Sequence, residues 1–132
     1  MDKKILAIED DTSASELIVH TLEPKGYQVI TALNGLEGLK KALDERPDLI
    51  ILDVMLPGLD GYEVCQRLRQ EPKTAALPIL MISAKARQDD IDIGLEMGAN
   101  DYLTKPVKPS EILAKVQTLL TSTSKVVHSK SS

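Results

Sequence analysis

What the chain lacks narrows it first. There is no tryptophan and no phenylalanine, and aromatic residues, three tyrosines, make up 2% of the chain. A flavin that needs stacked rings is poorly served. There is one cysteine, Cys65, so no internal disulfide can form and no second thiol supports a zinc site. Cys65 falls inside an expected helix, as a small buried hydrophobe. No apolar run approaches the roughly 20 residues of a membrane span. No secretory leader is legible: Met1-Asp2-Lys3-Lys4 runs into four apolar residues and then Glu9. Positive charge is not in excess. The formal net charge is -4, so nothing favours direct contact with nucleic acid or with an acidic membrane. A cytoplasmic protein is expected.

What is present suits one domain. At 132 residues, 42% hydrophobic and 27% charged, the chain can bury a single core. Its organising stretch is LIILDVMLPGLDG, residues 49–61. Four apolar residues run straight into Asp53. A short apolar run between breakers reads as a strand buried on both faces. Pro47 and Asp48 break the chain before it; Pro57 and Gly58 break it after.

The same alternation recurs along the chain. Residues 5–8 form a first strand, ending in Glu9-Asp10-Asp11. Ser13 and Glu16 have capping-box spacing for a helix with Ala14, Leu17, Ile18 and Leu22 on its stripe. His20 falls on the solvated face of that helix. Residues 27–32 read as strand two. Asn34 with Glu37 opens a second helix, with Leu36, Leu39, Ala42 and Leu43 inward. Asp60 with Glu63 opens a third, with Val64, Cys65 and Leu68 inward. Residues 78–83 are strand four, 89–97 helix four stopped by Gly98, and 101–104 strand five. Pro109 suits the first turn of a last helix. Its stripe is Ile112, Leu113, Val116, Leu119 and Leu120. Strand and helix alternate five times, which argues an α/β fold: a doubly wound five-stranded parallel sheet with five helices on both faces. Residues 122–132 have no core pattern and read as a disordered tail or the start of a linker. His128 lies within them as a solvated side chain.

Parallel strands bring their C-terminal ends to one edge. Glu9 and Asp10 follow strand one, Asp53 closes strand three, Ser83 closes strand four, and Lys105 follows strand five. Three carboxylates in one pocket cannot all stay ionised without compensation. A raised pKa or a bound cation are the two remedies. An all-oxygen set suits a hard cation such as magnesium. A lysine and a hydroxyl beside it suit a phosphoryl group. The composite points to phosphoryl transfer onto Asp53, since carboxylates are known nucleophiles of that kind.

The motifs IEDD at 8–11, LDVMLPGLDG at 52–61, MISA at 81–84 and GANDYLTKP at 98–106 make the chain similar to the receiver domain of two-component response regulators. The resemblance covers about residues 3–121. It implies a flavodoxin-like fold with strand order 2-1-3-4-5. It implies Asp53 as phosphoacceptor, with Ser83 and Lys105 as its catalytic partners. The implied metal set is Glu9, Asp10, Asp53 and the Met55 carbonyl, holding Mg2+. Ser83 and Tyr102 are the implied switch pair, and the bond before Pro106 is expected to be cis. The implied partner is a sensor histidine kinase or histidine phosphotransfer protein. The implied output is an unknown domain or target protein, reached through the surface of helix four, strand five and helix five. Such a chain is a self-phosphorylating switch rather than an enzyme with a separate substrate. It is expected as a monomer or a weak phosphorylation-dependent dimer.

This sequence departs from the family in places. Three acids follow strand one where the family needs two; Glu9 and Asp10 are taken as the pair. Val107 stands where phenylalanine is frequent. Ile91 stands where the winged-helix DNA-binding class carries a basic residue to pair with Glu111. Asp101 and Lys115 remain as a pair, so that network is incomplete and argues against a winged-helix output. Three rival readings fit these residues less well. A flavodoxin would need Thr12-Ser13-Ala14-Ser15 to hold phosphate beside three repelling acids. A haloacid-dehalogenase-like phosphatase wants Asp-x-Asp, and Asp53-Val54-Met55 lacks the second acid. A receiver-like module that is never phosphorylated would not need so complete a site.

Overall fold

Each apolar run of the sequence becomes a strand, and each amphipathic stretch returns the chain over one face of the sheet. The computed structural model describes residues 2–131, with side chains described for residues 2–121. The elements are β1 (Lys4–Ile8), α1 (Thr12–Leu22), β2 (Gln28–Ala32), α2 (Gly35–Glu45), β3 (Leu49–Asp53), α3 (Gly61–Gln70), β4 (Ile79–Ser83), α4 (Gln88–Met97), β5 (Asp101–Thr104) and α5 (Pro109–Ser131). All strand pairs are parallel, and the sheet order is β2-β1-β3-β4-β5. The doubly wound sheet and its strand order are those expected. The expected tail or linker at residues 122–132 falls outside the residues whose side chains are described. The backbone of α5 continues as helix to Ser131.

The sheet separates two apolar layers. Leu6, Ile8, Ile50, Leu52 and Met81 pack with Val64, Cys65 and Leu68 on the α3 side. Ile5, Ala7, Ile51, Leu80 and Ile82 pack with Ile18, Leu22, Ile112 and Val116 on the α1 and α5 side. β3 is buried at all five positions, as a strand covered on both faces must be. Alternate residues feed opposite layers because the strand period is two.

Two local expectations are corrected. The cap of α1 is Asp11, not Ser13: its Oδ1 accepts from the Ser13 and Ala14 amides at 2.9 and 3.4 Å. The helix starts two residues earlier than the Ser13–Glu16 spacing implies, and a carboxylate accepts these amides well. In α2 the leucines do not all turn inward. Leu36 is 65% exposed and Leu43 38%. The buried residues are Gly35, Gly38 and Ala42. Small side chains let α2 lie close on the sheet: a Cβ on Gly38 would stand 2.5 Å from Ile8 Cδ1. Volume therefore overrides hydrophobicity in choosing the inner face. Asn34 and Asp60 cap α2 and α3 as expected, accepting from the Glu37 and Glu63 amides at 2.9 and 3.0 Å.

Candidate functional site

The strand register levels the site residues. Ile8 is opposite Leu52, so Glu9 stands level with Asp53. Asp53 is opposite Ile82, which places Ser83 one step beyond. Ser83 is opposite Thr104, and Lys105 follows at once. Short, buried strands of equal polarity thus deliver these groups to one edge, where ligands of open α/β sheets sit.

Oxygen atoms of Glu9, Asp10 and Asp53 lie within 4.8 Å of one another. Glu9 and Asp53 are buried and Asp10 is exposed. Lys105 Nζ donates to Glu9 Oε1 and to Asp53 Oδ2, both at 3.0 Å. Asp53 Oδ1 accepts from the Met55 amide at 2.9 Å, and Glu9 Oε2 from the Asp11 amide at 3.1 Å. Both oxygens of the Asp53 carboxylate are therefore oriented by donors. Burial pushes the Glu9 carboxyl up to about 7; the neighbouring Asp53 adds to this and Lys105 opposes it. Burial alone would lower the Lys105 ammonium, but Glu9 and Asp53 outweigh it and hold it above its ordinary value. A lysine shared by two buried acids is a partial answer to their repulsion. The set of three acidic oxygen donors, one open to water, fits a small hard dication.

Gly61 makes the close packing here possible. A Cβ at that position would lie 2.2 Å from the Asp53 carbonyl oxygen. The helix start can thus fold under the loop, with the Gly61 amide donating to the Val54 carbonyl at 2.8 Å.

Ser83 is fully buried, and its Oγ accepts from the Lys85 amide at 3.2 Å. Tyr102 is 8% exposed and donates to the Lys85 carbonyl at 2.8 Å. Burial raises the Tyr102 phenol, while the Ser83 and Tyr62 hydroxyls pull it down. The ring thus lies inward, near the serine. The Lys105–Pro106 bond is cis. Met55 contributes its amide to Asp53, and its side chain is 54% exposed. Two neighbours escaped the sequence reading. Tyr62 and Lys85 line, with Asp10, Met55 and Asp60, a cleft of about 450 Å³ beside the acids. Tyr62 sits one residue inside a capped helix, which was the available signal.

Residues 5–117 match the sequence profile of the response regulator receiver domain. The chain belongs to that family. Its relatives include the alkaline phosphatase synthesis transcriptional regulatory protein PhoP of Bacillus subtilis, 53% identical over 91% of this chain and 49% of that protein. The DNA-binding dual master transcriptional regulator RpaA of Synechocystis is 46% identical over 93% of this chain and 51% of that one. The chain spans about half the length of such relatives. Among solved structures, chemotaxis response regulator CheY4 of Vibrio cholerae superposes with a TM-score of 0.86 at 34% identity, covering 90% of this chain and 99% of that one. The BeF3-activated N-terminal receiver domain of Klebsiella pneumoniae RstA gives 0.83 at 33%, covering 89% and 98%. This receiver domain therefore has the flavodoxin-like arrangement expected from its motifs. PhoP and RpaA are both named as transcriptional regulators, RpaA also as DNA-binding. Lys115 and Asp101 are paired at 2.6 Å, while Glu111 accepts instead from the Lys108 amide at 2.8 Å. No helix among the described residues is long and apolar enough to cross a membrane.

Proposed function

We propose that Asp53 of this receiver accepts a phosphoryl group from a phosphohistidine. The observation carrying this is the convergence of Glu9, Asp10 and Asp53 within 4.8 Å, with Lys105 bonded to Asp53 at 3.0 Å. An Asp53 carboxylate oxygen forms the new O–P bond as the P–N bond to the donor imidazole breaks, and the imidazole leaves with that electron pair. Little else is asked of the protein, because positioning and charge neutralisation are most of phosphoryl-transfer catalysis. The Met55 amide and Lys105 fix the orientation of the carboxylate. Lys105 carries the positive charge that faces the incoming phosphoryl oxygens. Glu9, Asp10, Asp53 and the Met55 carbonyl would hold Mg2+, which supplies further charge neutralisation when bound.

The donor in this reading is a sensor histidine kinase or a histidine phosphotransfer protein, and the setting is cytoplasmic. The chain turns over no separate substrate. Ser83 turns toward the phosphoryl group, Tyr102 occupies the buried position behind it, and the surface of α4, β5 and α5 changes for an output domain or target protein. The relatives' names point to gene control as that output. The chain acts as a monomer or a weak phosphorylation-dependent dimer, and makes no direct contact with nucleic acid or membrane. The test is incubation with acetyl phosphate and magnesium, followed by intact-mass measurement. The wild type should gain one phosphoryl group and Asp53→Asn none. Label on Ser83 in place of Asp53 would overturn the reading.

A further inference from the structure

Helix α4 carries a glycine where a helix has little use for one. Gly94 lies in its interior and is buried, and glycine there is less favourable than alanine. What lies beneath it supplies the reason. A Cβ on Gly94 would stand 3.0 and 3.1 Å from Cδ2 and Cε2 of Tyr102, and 2.8 Å from Met81 Sδ. Met81 and Tyr102 are register partners on β4 and β5, so α4 crosses the sheet directly over that pair. The Tyr102 hydroxyl donates to the Lys85 carbonyl at 2.8 Å, and the edge of its ring takes the place of a side chain at position 94. The helix is anchored at both ends from α3. Tyr62 donates to the Asp90 carbonyl at 3.0 Å, in the first turn of α4. Arg69 donates to the Gly98 carbonyl from Nε at 3.0 Å and from Nη2 at 2.8 Å. The same guanidinium donates to the Ala75 and Leu77 carbonyls at 3.0 and 2.6 Å. To lift away from the ring, α4 would have to strain these bonds.

We infer that Gly94 is a positioning residue of the switch: its missing side chain admits the Tyr102 ring to the inward position beneath α4. This rests on the reading of Asp53 as phosphoacceptor and of Ser83 and Tyr102 as the responding pair. A contact shifts an equilibrium only if it differs between the two states. The tyrosine ring is flat and rigid, and turning it on its own axis leaves the hydroxyl in place. On a fixed strand the hydroxyl leaves the Lys85 carbonyl by rotation about the Cα–Cβ bond, which carries Cδ2 and Cε2 away as well. A methyl group at position 94 therefore overlaps the inward ring and spares the outward one. Its contact with Met81 is common to both states, and a thioether is pliant. The overlap with the ring is a few tenths of an ångström. That belongs at the lower end of overpacking costs, about five- to tenfold in the equilibrium between the two ring positions. A switch that phosphorylation can throw holds the outward ring at least equally populated at rest. A ligand bound by the inward state alone then loses about three- to tenfold in apparent affinity.

Beryllofluoride with magnesium, a phosphoryl mimic, is titrated into wild type and Gly94→Ala. The Ser83 amide and the Lys85 carbonyl carbon are followed by NMR, with urea unfolding recorded in parallel. Gly94→Ala should need about three- to tenfold more beryllofluoride for half-conversion. At a given concentration its Lys85 carbonyl should show less of the hydrogen-bonded form. The same substitution is then made in a Tyr102→Val background, where a β-branched residue suits the strand and no atom remains at the Cδ2 or Cε2 position. There it should move half-conversion by less than about twofold, because the overlapping group is gone. A half-conversion point that is unmoved or lowered in Gly94→Ala, whatever the urea midpoint does, would make the glycine merely structural and overturn the inference. So would an equal shift in the Tyr102→Val background, which would assign the effect to the helix rather than to the ring. If the wild type itself does not respond to beryllofluoride, the phosphoacceptor reading fails and takes this inference with it.

Discussion

Lys105 and Asp53 meet at 3.0 Å although a whole strand, β4, lies between theirs. Backbone pairing cannot join β3 to β5. The long lysine stem spans the mouth of the sheet and brings one charge to two buried acids. That single contact links the loop after β5 to the strand that carries the proposed phosphoacceptor.

Lys105→Ala should therefore be felt in two ways. It leaves Glu9 and Asp53 buried without their cation, a change that costs about 3–5 kcal/mol for a fully buried pair and less here, because Lys105 is 26% exposed. Urea unfolding in chelator should show the loss, and magnesium should stabilise the variant more than the wild type. Phosphorylation by acetyl phosphate should slow. An unchanged urea midpoint in chelator would contradict the role given to this pair.

Asp10 is the exposed member of the acidic cluster. Asp10→Asn removes a charge from the proposed metal set without opening a cavity. Magnesium affinity should fall at least about tenfold, in the range seen when a metal site loses a supporting group. Calorimetric titration that gives the same affinity for both proteins would remove Asp10 from the set.

Glu9 predicts a pH dependence in the metal-free protein. Its folded pKa is raised from 4.5 to about 7, so the native state binds more protons than the unfolded state between those values. The contribution is fully present below about pH 4.5 and is lost as pH rises through 7. In chelator, stability referable to this group should fall between pH 5 and 7.5 by an amount on the order of 1–3 kcal/mol. Glu9→Gln should lack that fall and exceed the wild type at pH 7.5. Parallel profiles for the two proteins would show that Glu9 is not the titrating group.

Ser83 stands at the end of β4 with Tyr102 behind it. A hydrogen bond from Ser83 to a charged phosphoryl oxygen is worth about 1.5–3 kcal/mol. Ser83→Ala should still gain phosphate at Asp53, while its Tyr102 ring signals respond only weakly to beryllofluoride. Equal ring responses in wild type and variant would exclude the hydroxyl as the coupling element.

Gly61→Ala tests the packing under Asp53. The added methyl would fall 2.2 Å from the Asp53 carbonyl, so backbone must move. A loss of about 1–3 kcal/mol is expected from overpacking. Magnesium binding should weaken as well, because the shift is passed to the Asp53 strand end. Retention of both would show that the loop yields freely.

The sequence alone determined which residues could share an edge. A run such as Leu49–Asp53 can be buried only as a strand, alternation with helices makes the sheet parallel, and parallel strands collect their C-terminal groups together. Glu9, Asp10, Asp53, Ser83 and Lys105 were legible for that reason. The caps at Asn34 and Asp60 were legible too, because capping is local hydrogen bonding. Only the tertiary structure decided the face of α2. Leu36 and Leu43 have the hydrophobicity to turn inward, but the space above Ile8 admits only Gly38. It also decided that Asp11 caps α1, and that Tyr102 lies inward on the Lys85 carbonyl. Tyr62 was invisible for the same reason. Its partners, Asp90 and Lys85, are distant in sequence, and no periodicity reports which side chains meet when α3 and α4 pack against each other.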